Sequence, residues 1–315
     1  MEKSKVKISI IMPTYNRAKT VIKAIDSVLA QSFNEYELII INDGSTDETT
    51  KICSEYAQKE NKIRFINRLQ NKGASFARNI GIKVSDGDYI TFVDDDDVIH
   101  CKMLEFLYGL TITHGADISI CGSWYGYGEN VVPKYKYDEL ILLDKVTGLD
   151  ELLKREKYNS SNACKLFCKK LFRGINYIEK SLVDDIHVVY KLFAEANTVV
   201  AKGVPMYTCM RHGENNSNLL ENNIWSPELL REYINMQKDR VKYLSQCVPQ
   251  ITDRVKYSEW SFYISMCHKI NIFNNWVCKK EYREMLNILK ENKVEFLNSK
   301  FITESEKTMI KMYNI

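Results

Sequence analysis

Residues 6–12 form an apolar run rich in isoleucine, and Pro13 stops it because proline has no N–H to give a strand ladder. Apolar residues then recur at Val21, Ala24, Ile25, Val28 and Leu29, the spacing of one helix face. Residues 37–41 are almost wholly branched and apolar, which predicts a strand covered on both faces. The alternation continues with a strand at 63–66, a helix at 73–85 carrying Arg78 and Asn79, and a strand at 89–93. Strands and helices taking turns, with a polar loop after each strand, predict an α/β fold whose mostly parallel, Rossmann-like sheet is flanked by helices. Farther on, a strand is expected at 116–121. A helix is expected from about residue 184, with Ile186, Val189, Tyr190 and Phe193 facing the core. From Asn222 the β-type runs stop, and Pro227 opens a helix-rich stretch. This shift places the one domain boundary near residue 220: an α/β domain over 1–220, in halves 1–125 and 126–220, and a helical region over 221–315.

The polar residues collect where the strands end. Residues 90–97 read Ile-Thr-Phe-Val-Asp-Asp-Asp-Asp, a buried-strand pattern running straight into four carboxylates. Ligands of α/β sheets bind beyond the carboxyl ends of the strands. Four like charges there repel unless a cation joins them, and a hard divalent ion that also grips phosphates is the natural partner. A solvated acidic turn is the plain structural alternative. A calcium loop of the EF-hand type fails, because Ile99 and Val98 stand where the turn glycine and a ligand belong. Residues 13–17 and 42–47 also follow strand ends, so the three loops should line one crevice. Neither a G-x-x-x-x-G-K-[ST] phosphate loop nor a G-x-G-x-x-G turn occurs, which disfavours the common nucleotide-binding motifs.

Composition narrows the class. The 315 residues carry a net charge of +3, too near neutral for nucleic acid as principal partner. Nine cysteines without a C-x-x-C pair suggest reduced thiols in a cytoplasmic protein. No apolar run approaches the roughly 20 residues of a spanning helix, so a soluble protein able to touch a membrane surface is expected.

Four segments now stand in order: Ser9-Ile-Ile-Met-Pro-Thr-Tyr-Asn16, Ile40-Ile-Asn-Asp-Gly-Ser-Thr-Asp47, Asn71-Lys-Gly-Ala-Ser-Phe-Ala-Arg-Asn79 and Phe92-Val-Asp-Asp-Asp-Asp97. Over residues 6–125 the chain closely resembles family 2 glycosyltransferases, inverting enzymes of the GT-A fold. The resemblance implies a nucleotide-sugar donor, expected to be a UDP-sugar, bound by Pro13, Thr14, Tyr15, Arg17, Asp43, Asp47, Arg78, Asp94 and Asp95. In that pattern Asp43 would accept from the uracil N3–H, and Arg78 would flank the nucleotide or its phosphates. Asp94-Asp95-Asp96 corresponds to the D-x-D motif, in which Asp94 would contact the ribose and Asp96 would hold Mn2+ or Mg2+. Asp97 lies beyond the motif and could support the metal or charge a helix start.

The later motifs bear on the acceptor. Trp124, Tyr125, Tyr127, Tyr135 and Tyr137 fall in a predicted loop, where they either cover the core or stack on acceptor sugars. Residues 160–172 form a basic amphipathic piece, in which the resemblance makes Asn162 and Lys165 donor-site candidates. The family's glycine-rich loop is not evident there. Asp184-Asp185 matches the family's Glu-Asp pair, with Asp for Glu at 184. Asp185 would be the general base and Asp184 its support. Arg211-His212-Gly213 resembles the end of the GT-A core, with His212 as a metal ligand and Arg211 near the leaving diphosphate. The aromatic, lysine-rich helices of the last third predict helix packing, peripheral membrane contact or a homodimer. The expected activity is metal-dependent inverting transfer to a glycan or lipid-linked acceptor in bacterial polysaccharide biosynthesis. A nucleotidyltransferase and a non-catalytic sugar-nucleotide or glycan binder are the alternatives.

Overall fold

The computed structural model describes residues 6–128, 130–211 and 225–315. The chain divides into two compact units, Met1–His212 and Gly213–Ile315. Residue 220 and His212 lie outside the described residues.

In the first unit, strands β1 (Ile8–Thr14), β2 (Tyr36–Asp43), β3 (Ile63–Arg68) and β4 (Tyr89–Phe92) pair in parallel. Helices α1 (Val21–Leu29), α2 (Thr49–Lys59) and α3 (Ala74–Val84) cross between them. Every residue of β1 and β2 is buried, which is why neither strand shows a period of two. Helix α3 lies close on β1 because Gly81 has no side chain: a Cβ there would stand 2.5 Å from Ile11 Cγ2. Ile8, Ile10 and Met12 pack with Val21, Ala24, Ile25 and Val28 in one apolar core.

The second half of the unit adds β5 (Val98–Ile99), α4 (Met103–His114), β6 (Ile118–Tyr127), β7 (Asn130–Lys134), β8 (Leu140–Asp144), α5 (Lys145–Lys154), β9 (Lys165–Cys168), α6 (Asp185–Glu195) and β10 (Thr198–Met210). The ten strands form one sheet, with β3-β2-β1-β4-β9-β6-β10-β5 as its main path. β9 runs antiparallel between β4 and β6, so the sheet is mixed, parallel through its first four strands. Residues 160–172 thus resolve at their end into β9 and a 3₁₀ turn, Lys169–Phe172.

β6 runs to Tyr127, six residues past the expected end, so Trp124, Tyr125 and Tyr127 sit on a strand and not in a loop. Gly122 and Gly126 both lie within β6. A Cβ on Gly126 would meet Asn130 O at 2.0 Å, so glycine admits the neighbouring β7 backbone.

In the second unit, α7 (Pro227–Cys247), α8 (Thr252–Ile272), α9 (Lys279–Glu291), α10 (Lys293–Leu297) and α11 (Glu304–Met312) surround Trp225, Trp260, Tyr263, Ile264, Met285 and Phe296. Ser226 caps α7, its hydroxyl accepting from Leu229 N at 3.1 Å, with Pro227 in the first turn. Among the described residues, no helix is long and apolar enough to cross a membrane.

Candidate active site

The loops after β1 and β2 are knitted together. Asn16 N donates to Ser45 Oγ at 2.9 Å, and Asn16 Oδ1 accepts from Thr46 N at 2.8 Å. Asp47 accepts from Thr49 N and from Ala18 N at 3.0 and 3.1 Å, so its carboxylate works as a strut between the loops. Asp43, at the end of β2, pairs with Arg68 and accepts from Lys72 N and Gly73 N at 2.9 and 2.6 Å. It thereby ties β2 to the start of α3, and its oxygens already meet three donors of the chain. Pro13 and Thr14 are buried at the end of β1, whereas Tyr15 is exposed. Tyr15 N donates to Asp95 Oδ2 at 3.3 Å, and Arg17 Nε lies 3.6 Å from Asp95 Oδ1 and 4.0 Å from Asp96 Oδ2. The β1 loop and the acidic run therefore meet, as three loops at one sheet edge should.

The four aspartates after β4 differ in their surroundings. Asp94 pairs with Arg78 at 2.9 Å, and its N–H donates to Tyr207 Oη at 3.1 Å. Burial pushes the Asp95 carboxyl up to about 7, and its acidic neighbours add to the effect. Asp97 is buried and accepts from Tyr207 Oη and Met210 N, each at 2.8 Å. It does not start a helix, since α4 begins at Met103. Asp97 instead fastens the acidic loop to β10.

Among the described residues a metal ion would meet hard oxygen donors at this strand end, a set that suits Mg2+ or Mn2+. Among the described residues, no three His, Cys, Asp or Glu side chains close around one point. The donor set thus fits an ion that takes one or two protein carboxylates and fills its sphere with phosphate oxygens and water.

Across from this run, Asp184 caps α6, and its Oδ1 accepts from Asp185 N at 3.0 Å. Asp184 Oδ2 pairs with Arg78 and accepts from Ser75 Oγ at 3.3 Å. The buried Arg78 guanidinium thus bridges Asp94 and Asp184, two carboxylates from different halves of the fold. Asp185 Oδ2 accepts from Asn162 N at 3.0 Å. Its Oδ1 is buried and has no hydrogen-bond partner among the described residues. Burial pushes the Asp185 carboxyl up to about 7; the Asp184 charge adds to this and Arg78 opposes it.

Asn162 and Lys165 lie beneath this carboxylate, both fully buried. Asn162 Nδ2 donates to Tyr177 Oη at 3.2 Å, and Lys165 Nζ donates to Ser161 O at 2.6 Å. Burial lowers the Lys165 pKa. Arg211 stacks over the Tyr125 ring at 4.2 Å, and Lys134 stands 4.9 Å from the same ring. The chain's own cations thus lie against this aromatic.

Several positioning groups escaped the sequence reading. Tyr177 N donates to Asn79 Oδ1 and Asn79 Nδ2 to Tyr177 O, at 2.8 and 2.9 Å, which pins the segment leading to Asp184. Tyr207 and Ser75 were also missed. Asn79 sits in the quoted motif beside Arg78 and could have been suspected. Tyr177 and Tyr207 look like core aromatics in one dimension, and only folding brings their hydroxyls to Asn162 and to the acidic run.

Comparison with known proteins accounts for this arrangement. The model of Glycosyl transferase family 2 matches residues 9–175, more than half of the chain. Glycosyltransferase GlyG of Streptococcus pneumoniae is 31% identical over 210 residues, covering 61% of this chain and 67% of GlyG. Glycosyltransferase GlyA of the same organism is 28% identical over 250 residues, covering 76% of this chain and 35% of GlyA. The chain therefore spans about two thirds of one relative and about a third of the other. Among solved structures, S. aureus TarS 1–349 in complex with UDP-GlcNAc aligns with a TM-score of 0.63 at 18% identity, over 91% of this chain and 92% of that one. Mannosyltransferase PcManGT from Pyrobaculum calidifontis, in complex with GDP-Man and Mn2+, gives 0.59 at 11% identity, over 98% and 79%. Identities this low speak for the fold, which is GT-A. The matched family segment holds the three crevice loops and Arg78 and ends before Asp184. By that match and by its likeness to GlyG, the chain belongs to glycosyl transferase family 2.

Proposed function

We propose that the chain moves a sugar from a UDP-sugar to a hydroxyl of a glycan or lipid-linked acceptor, inverting the anomeric centre, in bacterial polysaccharide biosynthesis. The observation that carries this reading is Asp185: a carboxylate at a helix start, held at one oxygen by Asn162 N, unpartnered at the other among the described residues, and pushed to about 7. A general base works best when its pKa lies near the working pH. In the reaction, the acceptor oxygen attacks the anomeric carbon while the bond to the diphosphate breaks. The electron pair leaves with the nucleoside diphosphate, and Asp185 Oδ1 takes the hydroxyl proton.

The remaining residues bind and orient. Pro13, Thr14, Tyr15, Arg17, Asp43 and Asp47 frame the nucleotide, with Asp43 and Asp47 also bracing the loops that carry it. Both terminal nitrogens of Arg78 are engaged by Asp94 and Asp184. We therefore assign Arg78 to holding those carboxylates in register, in place of the phosphate contact that the motif alone suggests. Asp184 in turn supports Asp185. Asp96, with Asp94 or Asp95 beside it and His212 by resemblance, would hold Mn2+ or Mg2+, which when bound offsets the charge of the departing diphosphate. TarS with UDP-GlcNAc and PcManGT with GDP-Man and Mn2+ support a nucleotide-sugar and a divalent ion, and they differ in the base.

A thermal-shift screen of UDP-, GDP-, CMP- and dTDP-sugars, each with Mn2+ or EDTA, tests the donor, because a ligand selective for the native state raises its stability. Metal-dependent stabilisation by UDP-sugars is expected. Asp185→Asn should keep that stabilisation and abolish transfer; transfer that survives in this variant removes Asp185 as the base.

A further inference from the structure

The large apolar residues of the helical unit separate into two groups. Trp260, Tyr263, Ile264 and Ile270 point into its core. Ile272, Phe273, Trp276 and Val277 do not: they are 58, 51, 45 and 67% exposed at the turn between α8 and α9. Inward contacts fix this turn. Asn275 Nδ2 donates to Trp225 O at 3.3 Å, Cys278 is buried with its Sγ 3.8 Å from the same oxygen, and Asn274 adopts φ +50°. Asn275 and Cys278 thus anchor the tip from inside, and Phe273 and Trp276 rest one ring edge on Trp225 and Tyr282, at 6.0 and 5.5 Å between centroids, while the rest of both rings, Ile272 and Val277 are open to water. Four large apolar side chains left about half exposed at one tip form a contiguous patch of the kind that marks a docking surface.

The charges around the tip are mostly positive. Residues 269–290 contain five cations, Lys269, Lys279, Lys280, Arg283 and Lys290, and two carboxylates, Glu281 and Glu284. Both carboxylates are paired with Arg231, and Glu284 also with Lys238. Lys279, Lys280 and Arg283 are exposed and line one open groove with Val277, in which Glu284 and Glu291 also stand. None of the three enters an ion pair among the described residues.

We propose that this turn docks the protein on an anionic lipid surface, with Ile272, Phe273, Trp276 and Val277 entering the interface and Lys279, Lys280 and Arg283 meeting the headgroup phosphates. Tryptophan suits that depth because its ring is apolar and its N–H stays wet. Apolar insertion beside a small basic cluster supplies two weak signals, which together hold a protein at a membrane where one does not. A second copy of the chain fits less well. The four side chains expose on the order of a few hundred Å2, short of the roughly 800 Å2 per partner of a standard interface, and the cations would face their own kind.

Flotation of the full chain with phosphatidylcholine vesicles, with and without phosphatidylglycerol, tests this. The protein should rise with the anionic vesicles only, and added salt should release it. Lys279→Gln with Lys280→Gln should weaken binding by roughly fivefold per cation. Ile272→Ser with Val277→Ser, at the two most exposed positions, should weaken it without lowering the unfolding temperature. Equal partition to neutral and anionic vesicles, or none to either, overturns the proposal. So does a lipid-free dimer, seen by analytical ultracentrifugation, that the serine variant converts to monomer.

Discussion

Arg78 is the residue on which the two halves of the site meet. Its planar guanidinium reaches Asp94 with one nitrogen and Asp184 with another, a geometry that the point charge of lysine cannot copy. Arg78→Lys should therefore fold and bind donor, yet lose on the order of 100-fold in kcat with little change in donor KM, because a small shift of the base is costly. Arg78→Ala leaves Asp184 facing buried surroundings without its cation and should cost on the order of 3 kcal/mol in urea unfolding. Asp185 adds a pH signature. Its carboxyl must be ionised to accept a proton, and its pKa lies at about 7. The kcat/KM of the free enzyme should rise about tenfold per pH unit below 7 and level off above it. A limb near pH 4 would mean that a different, unperturbed carboxylate is the base.

Among the elements, β10 sets the acidic run. Tyr207 Oη accepts from Asp94 N and donates to Asp97, so one hydroxyl clamps both ends of the four-aspartate loop. Tyr207→Phe keeps the ring in the core and deletes only that clamp. It should cost about 1–3 kcal/mol through the unsatisfied Asp97 and weaken metal-dependent donor binding, read by the thermal shift with Mn2+. Asp97 shows how much of the site could be read in advance. The four carboxylates, the strand before them and the crevice position follow from a buried β run ending in charge. The different tasks of Asp96 and Asp97 do not follow, because those depend on β10, more than 100 residues later in the chain. The same holds for β6. Its length is set by hydrogen bonding to β7 and β10 and by the close approach that Gly126 permits, neither of which leaves a local signal. β1 and β2 were legible because burial on both faces writes itself as nearly unbroken apolar runs, whereas β3, at the end of the sheet path, is only partly buried and keeps polar residues among its apolar ones. Asp184 and Asp185 were legible as a pair, whereas the Arg78 bridge between Asp184 and Asp94 was not.

For the whole molecule, the sequence separated an α/β part from a helical part but could not sort Trp260 from Trp276, because sidedness in the last third depends on which helices pack. A property of the complete chain follows from the acidic crevice. Asp95 and Asp185 are both pushed up to about 7, above the roughly 4 of an unfolded aspartate. Between those values the native state holds more protons than the unfolded one, so stability falls as pH rises from about 4 to about 7. Below 4 both states are protonated and above 7 both are ionised, so this contribution is flat outside the window. Without metal or donor, the unfolding temperature should therefore drop by several degrees from pH 5 to pH 8, measured by calorimetry. On the proposed reading Mn2+ with a UDP-sugar would sit against the ionised acidic run and should recover part of that loss at pH 8 and little at pH 5. A profile that is flat across this window, or a recovery equal at both pH values, would mean that these carboxyls already have compensating partners and that the crevice needs no cation to balance it.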